Sequence, residues 1–448
     1  REGGKIFGAG SRATVAITIL VKNPEKTGVA SIHYTEVGDY LTTEQKLAQV
    51  ATEQSMYNRE EIRHIVPNDH GDWLNQRDDD FASYLDISGE RGPGIFALHS
   101  AGVKSSRDAW AYNFGSHAAF ANMSRMVAFY LDLQKSGESA TSREALDPMR
   151  ISWDMTLRNR FNRGLPVATS EADVRVVSYR PFTKQQMVMT STLLYSTTTK
   201  PQTFPTDAIP NIAIVITGRS SHHQFGTIVV DKMPDVHTLD SGQFFARWRY
   251  EKVEEAGMFG LVAEDEDIHG GYRKLDNISD LAFERFTAAY GPTITKDDIF
   301  HYVYGLLHSP EYRESYASDL KKMLPRIPLV EDPWPFIQAG RDLSDIHLGY
   351  ELETPYPLEG IDVEPIGDPY DFFAVRKMSF LKIRDHETKK LVADKSAIVY
   401  NSRVTLSGIP EDAHRYMLGA RSAIEWIIDR YQVKTDNLSG IVNNPNDW

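Results

Sequence analysis

Apolar and polar positions alternate along the chain between strand-like runs and helix-like stripes. The opening run, Lys5 to Lys22, is rich in β-branched residues and ends at Asn23-Pro24, which predicts a buried strand. Ser31–Glu36 predicts a second strand. Thr42–Val50 predicts a short helix, with a capping threonine followed by glutamates and glutamines. This strand–strand–helix order suits the tail of an α/β domain. Between about residues 60 and 95 the pattern loosens into Pro67-Asn68-Asp69-His70-Gly71-Asp72 and then Gly89, Gly92, Pro93 and Gly94. A domain boundary belongs there, giving residues 1–94 and 95–448.

The second part mixes both periods. Arg107–Leu133 is long and aromatic, with helical spacing in Phe120–Leu133. Met187–Tyr195 and Asn211–Thr217 read as strands, residues 196–210 as a loop, and Asn277–Tyr290 as an amphipathic helix. The clearest helical pair is Asp297–Leu307 and Pro310–Met323, separated by His308-Ser309-Pro310, a break with a cap and a proline at the first helical position. This pair, residues 297–323, reads as a scaffold, with Arg313 and Arg326 as tethers for carbonyls. Phe373–Ile383, Ser396–Tyr400 and Arg403–Ser407 are strand-like, and Pro410–Tyr431 is helical.

A length of 448 residues suggests two or three packed units at roughly 150 residues each. The apolar fraction of 41% excludes wholesale disorder. No apolar run approaches the roughly 20 residues of a membrane helix. Cysteine is absent, which excludes disulfides, thiolate catalysis and Cys-bound metal clusters and is compatible with a reducing, cytoplasmic setting. The net charge of −13 is unevenly spread. Residues 331–371 hold eleven acids against Arg341 alone, a net of −10, and read as a solvated, loop-heavy connector. The remainder is near neutral and is free to carry a basic face.

Catalytic signatures are missing. There is no P-loop, no His-Glu-x-x-His, no Gly-x-Ser-x-Gly and no Asp/Asn-Pro-Pro-Tyr/Phe. Gly8-Ala9-Gly10 lacks the third glycine and the following helix of a dinucleotide loop, and reads as a tight turn. Pro234-Asp235 with Glu251-Lys252 fails as a metal-nuclease core, because adjacent Glu and Lys point to opposite strand faces. Glu264–Asp267 with His269 reads as a solvated acidic loop, and His222-His223 as neighbours with diverging rings.

Basic residues cluster in four places. Residues 150–184 carry Arg150, Arg158, Arg160, Arg163, Arg175, Arg180 and Lys184 against three acids, with Trp153, Phe161, Tyr179 and Phe182 among them. The others are Lys104-Ser105-Ser106-Arg107, Arg219-Ser220-Ser221-His222-His223, and Arg376-Lys377 with Lys382 and Arg384. Arginine suits duplex recognition because its fork clamps a phosphate or reads a guanine edge.

Several stretches resemble the C-terminal part of type ISP restriction–modification enzymes. The opening Gly3–Lys22, Asp72-Trp-Leu-Asn-Gln-Arg77 and Ser100–Trp110 are similar to that family. So are Asp298–Arg313, Leu324–Pro328, Ala339–Glu351 and the tail Ser422–Asn443. The likeness spans nearly the whole chain. It implies an α/β tail of an adenine-N6 methyltransferase domain over residues 1–94, followed by a mixed α+β target-recognition domain over 95–448. Arg1 would then lie inside a longer polypeptide that also holds a nuclease and a helicase-like motor. S-adenosylmethionine, ATP and Mg²⁺ are implied for that parent and no cofactor for this part. No residue here matches the family's catalytic motifs.

The function expected is sequence-specific recognition of double-stranded DNA that presents a target adenine for methylation by the parent. Chosen by charge clustering, the candidate DNA contacts are Lys104, Arg107, Arg158, Arg160, Arg163, Arg180, Lys184, Arg219, Arg376, Lys377 and Lys382. The alternative is a non-catalytic protein-interaction scaffold that docks the motor and methyltransferase domains.

Overall fold

A computed structural model describes residues 16–37, 41–53, 62–89, 93–194, 202–219, 221, 223–253, 267–386 and 389–448. The chain divides into two compact units, Arg1–Asp79 and Asp80–Trp448.

In the first unit, Ile32–Tyr34 pairs antiparallel with Arg63–Ile65, and a helix spans Thr43–Glu53. Its start is a reciprocal cap. The Thr42 amide donates to the Gln45 side-chain oxygen at 2.8 Å, and the Gln45 amide donates to the Thr42 hydroxyl at 3.2 Å. Asp72 receives the Arg77 guanidinium at 2.8 Å and closes the loop that follows Ile65. The opening strand expected over residues 5–22 is corrected where it is described. Residues 16–22 form no strand, and Ile17, Ile19, Leu20 and Val21 are 80–87% exposed. An apolar run becomes a buried strand only between neighbours, and no described strand pairs with this one. Residues 1–15, including the Gly8–Gly10 turn, lie outside the described residues.

The second unit is a mixed α/β body with several sheets. One four-stranded sheet has the order Ser100–Ala101, Gln243–Ala246, Ala213–Ile216, Thr227–Val230, all antiparallel. Alternate residues serve opposite cores, as the two-residue period of a strand requires. Ala213, Val215, Ile228, Val230 and Phe244 face one apolar cluster, while Ile214, Ile216, Val229 and Phe245 face another. Each of the Val, Ile and Phe side chains among them, once fully buried, contributes roughly 1.5–3 kcal/mol. Both faces are covered, so the strands read as continuous apolar runs. On the first side lies the helix Ser116–Ser136, which also covers a second sheet of Met233–Pro234, Val174–Arg180, Thr183–Val188 and Tyr112–Asn113. On the second side lie the helices Asp280–Tyr290, Lys296–Leu306 and Trp334–Gly349.

Several expectations change. The helix Trp334–Gly349 occupies 16 residues of the stretch read as an acidic connector. Its inner face is Ile337, Gly340, Ser344 and His347, too small and polar to show as an apolar stripe. Pro310–Met323 is two short helices, Pro310–Ser315 and Ala317–Lys322, broken at Tyr316. The strand expected at Met187–Tyr195 is Thr183–Val188, because the chain reverses at Pro181-Phe182 and turns again at Thr190. Pro369–Phe373 is a helical turn, and the strand after it is Ser379–Arg384. Within Pro410–Tyr431 only Ala423–Arg430 is α-helical. It is capped by Ser422 and Glu425 and preceded by a small hairpin, Met417–Leu418 with Arg421–Ser422. Arg313 and Arg326 do tether carbonyls, Arg313 that of Leu307 at 2.6 Å and Arg326 those of Ala82 and Tyr84 at 2.9 and 3.0 Å. Among the described residues no helix is long and apolar enough to cross a membrane.

Candidate nucleic-acid interface

Three loops are knitted together on glycines. The Val103 amide donates to the carbonyl of Pro234 at 2.8 Å, and the Val236 amide returns to the carbonyl of Val103 at 2.9 Å. The Gly218 amide donates to the carbonyl of Asp240 at 3.1 Å. A Cβ at Gly102 would overlap the Asp235 backbone, and one at Gly218 would overlap the Ser241 carbonyl. Segment 234–242 therefore ties the loop bearing Lys104 to the loop bearing Arg219, and both cations are exposed.

Beneath these loops lies a buried polar network. Arg180 contacts Asp235 at 2.7 Å and Asp108 at 3.5 Å, and its guanidinium stacks 3.9 Å from the Tyr179 ring centre. The Tyr112 hydroxyl donates to Asp235 at 2.7 Å, and the His237 amide donates to the same carboxylate at 2.8 Å. Asp235 is 2% exposed. Burial raises its carboxyl above the ordinary value, while Arg180 acts in the opposite sense. Burial likewise pushes the Tyr179 hydroxyl up to about 12.

The candidate cations divide into two groups. Arg107 is buried against Asp154 at 2.8 Å, and Asp154 in turn caps the helix Met155–Asn162 through the Leu157 amide. Arg158 lies over the Trp153 ring, and Arg160 donates twice to the Pro166 carbonyl at 3.0 Å. Lys184 lies 3.5 Å from Asp231 and 3.6 Å from Glu351. With Arg180, these five are engaged in internal contacts. Lys104, Arg163, Arg219, Arg376, Lys377 and Lys382 are exposed. Arg150, also within the first cluster, pairs with Glu144 and stacks on Phe129, and Arg175 pairs with Asp207.

Sequence reasoning missed one basic group. Arg421, Arg430 and Lys434 all reach Asp429, at 2.5, 2.6 and 3.1 Å. Burial alone would raise the Asp429 carboxyl, but these three cations hold it below its ordinary value. The Val433 amide donates to the Arg376 carbonyl at 3.2 Å, and the Tyr431 hydroxyl donates to the Phe182 carbonyl at 3.3 Å. This group thus joins Arg376-Lys377 to the 178–184 hairpin. Three bases around one acid was the available signal, obscured by reading the region as one long helix. Two of the decoys stay ordinary where they are described: Asp267 pairs with His269, and Glu251 contacts Arg249 at 3.2 Å. No group of three or more histidine or acidic residues is gathered to hold a metal among the described residues.

The family of type ISP C-terminal specificity domains matches residues 94–448. Solved structures extend the likeness. A nuclease-deletion mutant of the type ISP restriction–modification enzyme LlaGI, in complex with a DNA substrate mimic, matches 99% of the chain at 34% identity and a TM-score of 0.80. The ATP-dependent type ISP enzyme LlaBIII bound to DNA matches 95% at 30% identity and 0.79, and a DrdV–DNA complex matches 91% at 27% identity and 0.74. The chain spans 38%, 26% and 39% of those three chains. No curated protein matches it.

Proposed function

Because the chain belongs to the family of type ISP C-terminal specificity domains, we propose that it recognises a double-stranded DNA target on behalf of a longer, ATP-dependent restriction–modification polypeptide. The similarity that carries this reading is the 34% identity over 99% of the chain to the LlaGI structure in complex with a DNA substrate mimic. Residues 95–448 form the recognition module, and residues 1–94 the end of an adenine-N6 methyltransferase fold. Docking presents the target adenine to the parent's methyltransferase pocket, where it leaves the stack to react. S-adenosylmethionine, ATP and Mg²⁺ act in the parent's other domains.

In this reading Lys104, Arg163, Arg219, Arg376, Lys377 and Lys382 contact the duplex, and Arg107, Arg158, Arg160, Arg180 and Lys184 support the loops that present them. Phosphate contacts fix position, and base-edge contacts fix sequence. Residues 351–371 differ in character: they hold seven acids and no base, and they expose Leu352, Tyr356, Ile366 and Tyr370. A segment of that charge repels DNA, and its exposed apolar side chains suit a contact with the parent's methyltransferase or motor domain. Recognition and scaffolding are then two surfaces of one module.

Fluorescence anisotropy of a labelled duplex titrated with the chain, across a salt series, tests the reading. Each phosphate contact contributes about 0.9 to the slope of log affinity against log salt, so affinity falls steeply as salt rises. Absence of binding at low salt, in this chain and in the full-length parent alike, refutes it.

A further inference from the structure

The strands Ser379–Arg384 and Leu391–Val399 form an antiparallel hairpin whose two halves differ. The root is anchored. Ala397 and Ile398 are buried, residues 397–399 also pair with Thr405–Ser407, and Lys395 reaches Glu425 at 2.9 Å. The pairing then slips between Phe380 and Leu381, from Phe380↔Ile398 to Leu381↔Asp394. Such an irregularity bends the ladder. Beyond it, Leu381↔Asp394, Lys382↔Ala393, Ile383↔Val392 and Arg384↔Leu391 continue as a ribbon, with no third strand on either edge among the described residues.

The outer half is exposed on both faces. Lys382 and Arg384, opposite Ala393 and Leu391, share one face. Ile383 and Val392 pair on the other. Leu391 is 65% exposed, Ile383 45% and Val392 39%. Residues 376–390 hold six bases and two acids in a chain whose net charge is −13. Lysine on a sheet edge also serves to block edge-to-edge aggregation. That role accounts for Lys382 and Arg384 but not for three apolar side chains displayed on the same ribbon, where edge protection calls for charge.

A basic ribbon with an apolar face has the shape and chemistry to enter a DNA groove. The major groove, about 12 Å wide and 8.5 Å deep, admits a two-stranded β-ribbon. Four ladder pairs at roughly 3.4 Å per residue give an arm long enough to reach its floor. We propose that the outer half of this hairpin, Leu381–Arg384 with Leu391–Asp394, enters a groove of the bound duplex. Lys382 and Arg384 lie along phosphates, and the Ile383–Val392 pair meets base edges, where thymine methyls offer apolar contact. This rests on the DNA-recognition reading and gives it a reading element that no catalytic or family motif marks.

The test uses the full chain and a fluorescein-labelled duplex of mixed sequence, titrated at several salt concentrations. The double variant K382A/R384A should weaken binding and reduce the salt slope by about 1.8, the contribution of two phosphate contacts. The double variant I383S/V392S should weaken binding with the slope kept. Thermal unfolding should be unchanged in both, since all four side chains are exposed. K135A, on a different element, should behave as wild type. Wild-type binding with both arm variants equal to it overturns the arm while leaving DNA recognition intact. If wild type and the full-length parent both fail to bind at low salt, the recognition reading falls and the arm falls with it.

Discussion

Gly305 and Gly340 face each other where the helices Lys296–Leu306 and Trp334–Gly349 cross. A Cβ on Gly305 would overlap the Phe336 carbonyl oxygen, and one on Gly340 would overlap the His301 carbonyl oxygen. Only hydrogen fits at either position. Gly340→Ala therefore forces the helices apart, and overpacking of this kind costs about 1–3 kcal/mol or more. Gly349, in the last turn of the same helix, has open space around its Cβ direction, and Gly349→Ala should be neutral or stabilising by up to about 1 kcal/mol. Denaturant midpoints of the two variants should move in opposite directions or differ sharply. Equal midpoints would mean that the crossing tolerates separation.

Arg180 and Asp235 should behave as a stability pair. Arg180→Ala leaves the Asp235 carboxylate buried at 2% exposure with its guanidinium partner gone, and breaking a buried pair from one side costs about 3–5 kcal/mol. Asp235→Asn keeps one side-chain oxygen to accept the His237 amide and places its NH2 to donate to the Tyr112 hydroxyl oxygen, so it removes the buried charge without stranding those groups and should cost less. Urea unfolding of both variants reads this directly. A Arg180→Ala midpoint close to wild type would show the network to be dispensable.

How far such features are legible in sequence depends on where the partner lies. The strands at 213–216 and 227–230 announce themselves because every residue faces one core or the other. The helix 334–349 is hidden because Gly340, Ser344 and His347 form its inner face, so the surrounding acids dominate any local count. Arg107 and Arg180 look like surface cations for a related reason. The acids that hold them, Asp154 and Asp235, lie tens of residues away, and nothing in the local spacing joins them. Charge clustering finds bases but does not separate those facing solvent from those facing an acid.

Two buried histidines set an acid limit on stability. The Tyr304 hydroxyl accepts the Val229 amide at 2.9 Å and lies 2.6 Å from His347 Nδ1, a buried pair in which a neutral imidazole can accept the hydroxyl hydrogen. Burial lowers His347 to about 4. Burial, with Arg313 and His347 nearby, lowers His308 to about 3. Both native values lie below the unfolded one, so the stability is whole above about pH 6.5 and declines as pH falls towards 4, because only the unfolded chain takes up the protons. Each histidine contributes up to about 1.4 kcal/mol per pH unit in that window. His347→Gln should give a shallower decline in urea midpoint between neutral and mildly acidic pH. An identical decline in the variant would place the acid sensitivity elsewhere.

The two groups of candidate cations make a sharper comparison. Arg219 is exposed on a loop tied to segment 234–242, whereas Arg107 is buried against Asp154. If Arg219 meets a phosphate, Arg219→Ala should lower duplex affinity and reduce the salt slope by about 0.9. Its unfolding free energy should stay within about 0.5 kcal/mol of wild type, as for most surface substitutions. Arg107→Ala should do the reverse. It strands Asp154 at the start of the helix Met155–Asn162 and lowers the unfolding midpoint, and any loss of affinity at a temperature where the variant is folded should leave the slope unchanged. Arg107→Met, which keeps the buried volume, should recover part of the lost stability. Paired measurements of slope and midpoint thus separate a contact with DNA from a contact within the fold. A reduced slope for Arg107→Ala with an unchanged midpoint would move that residue to the interface.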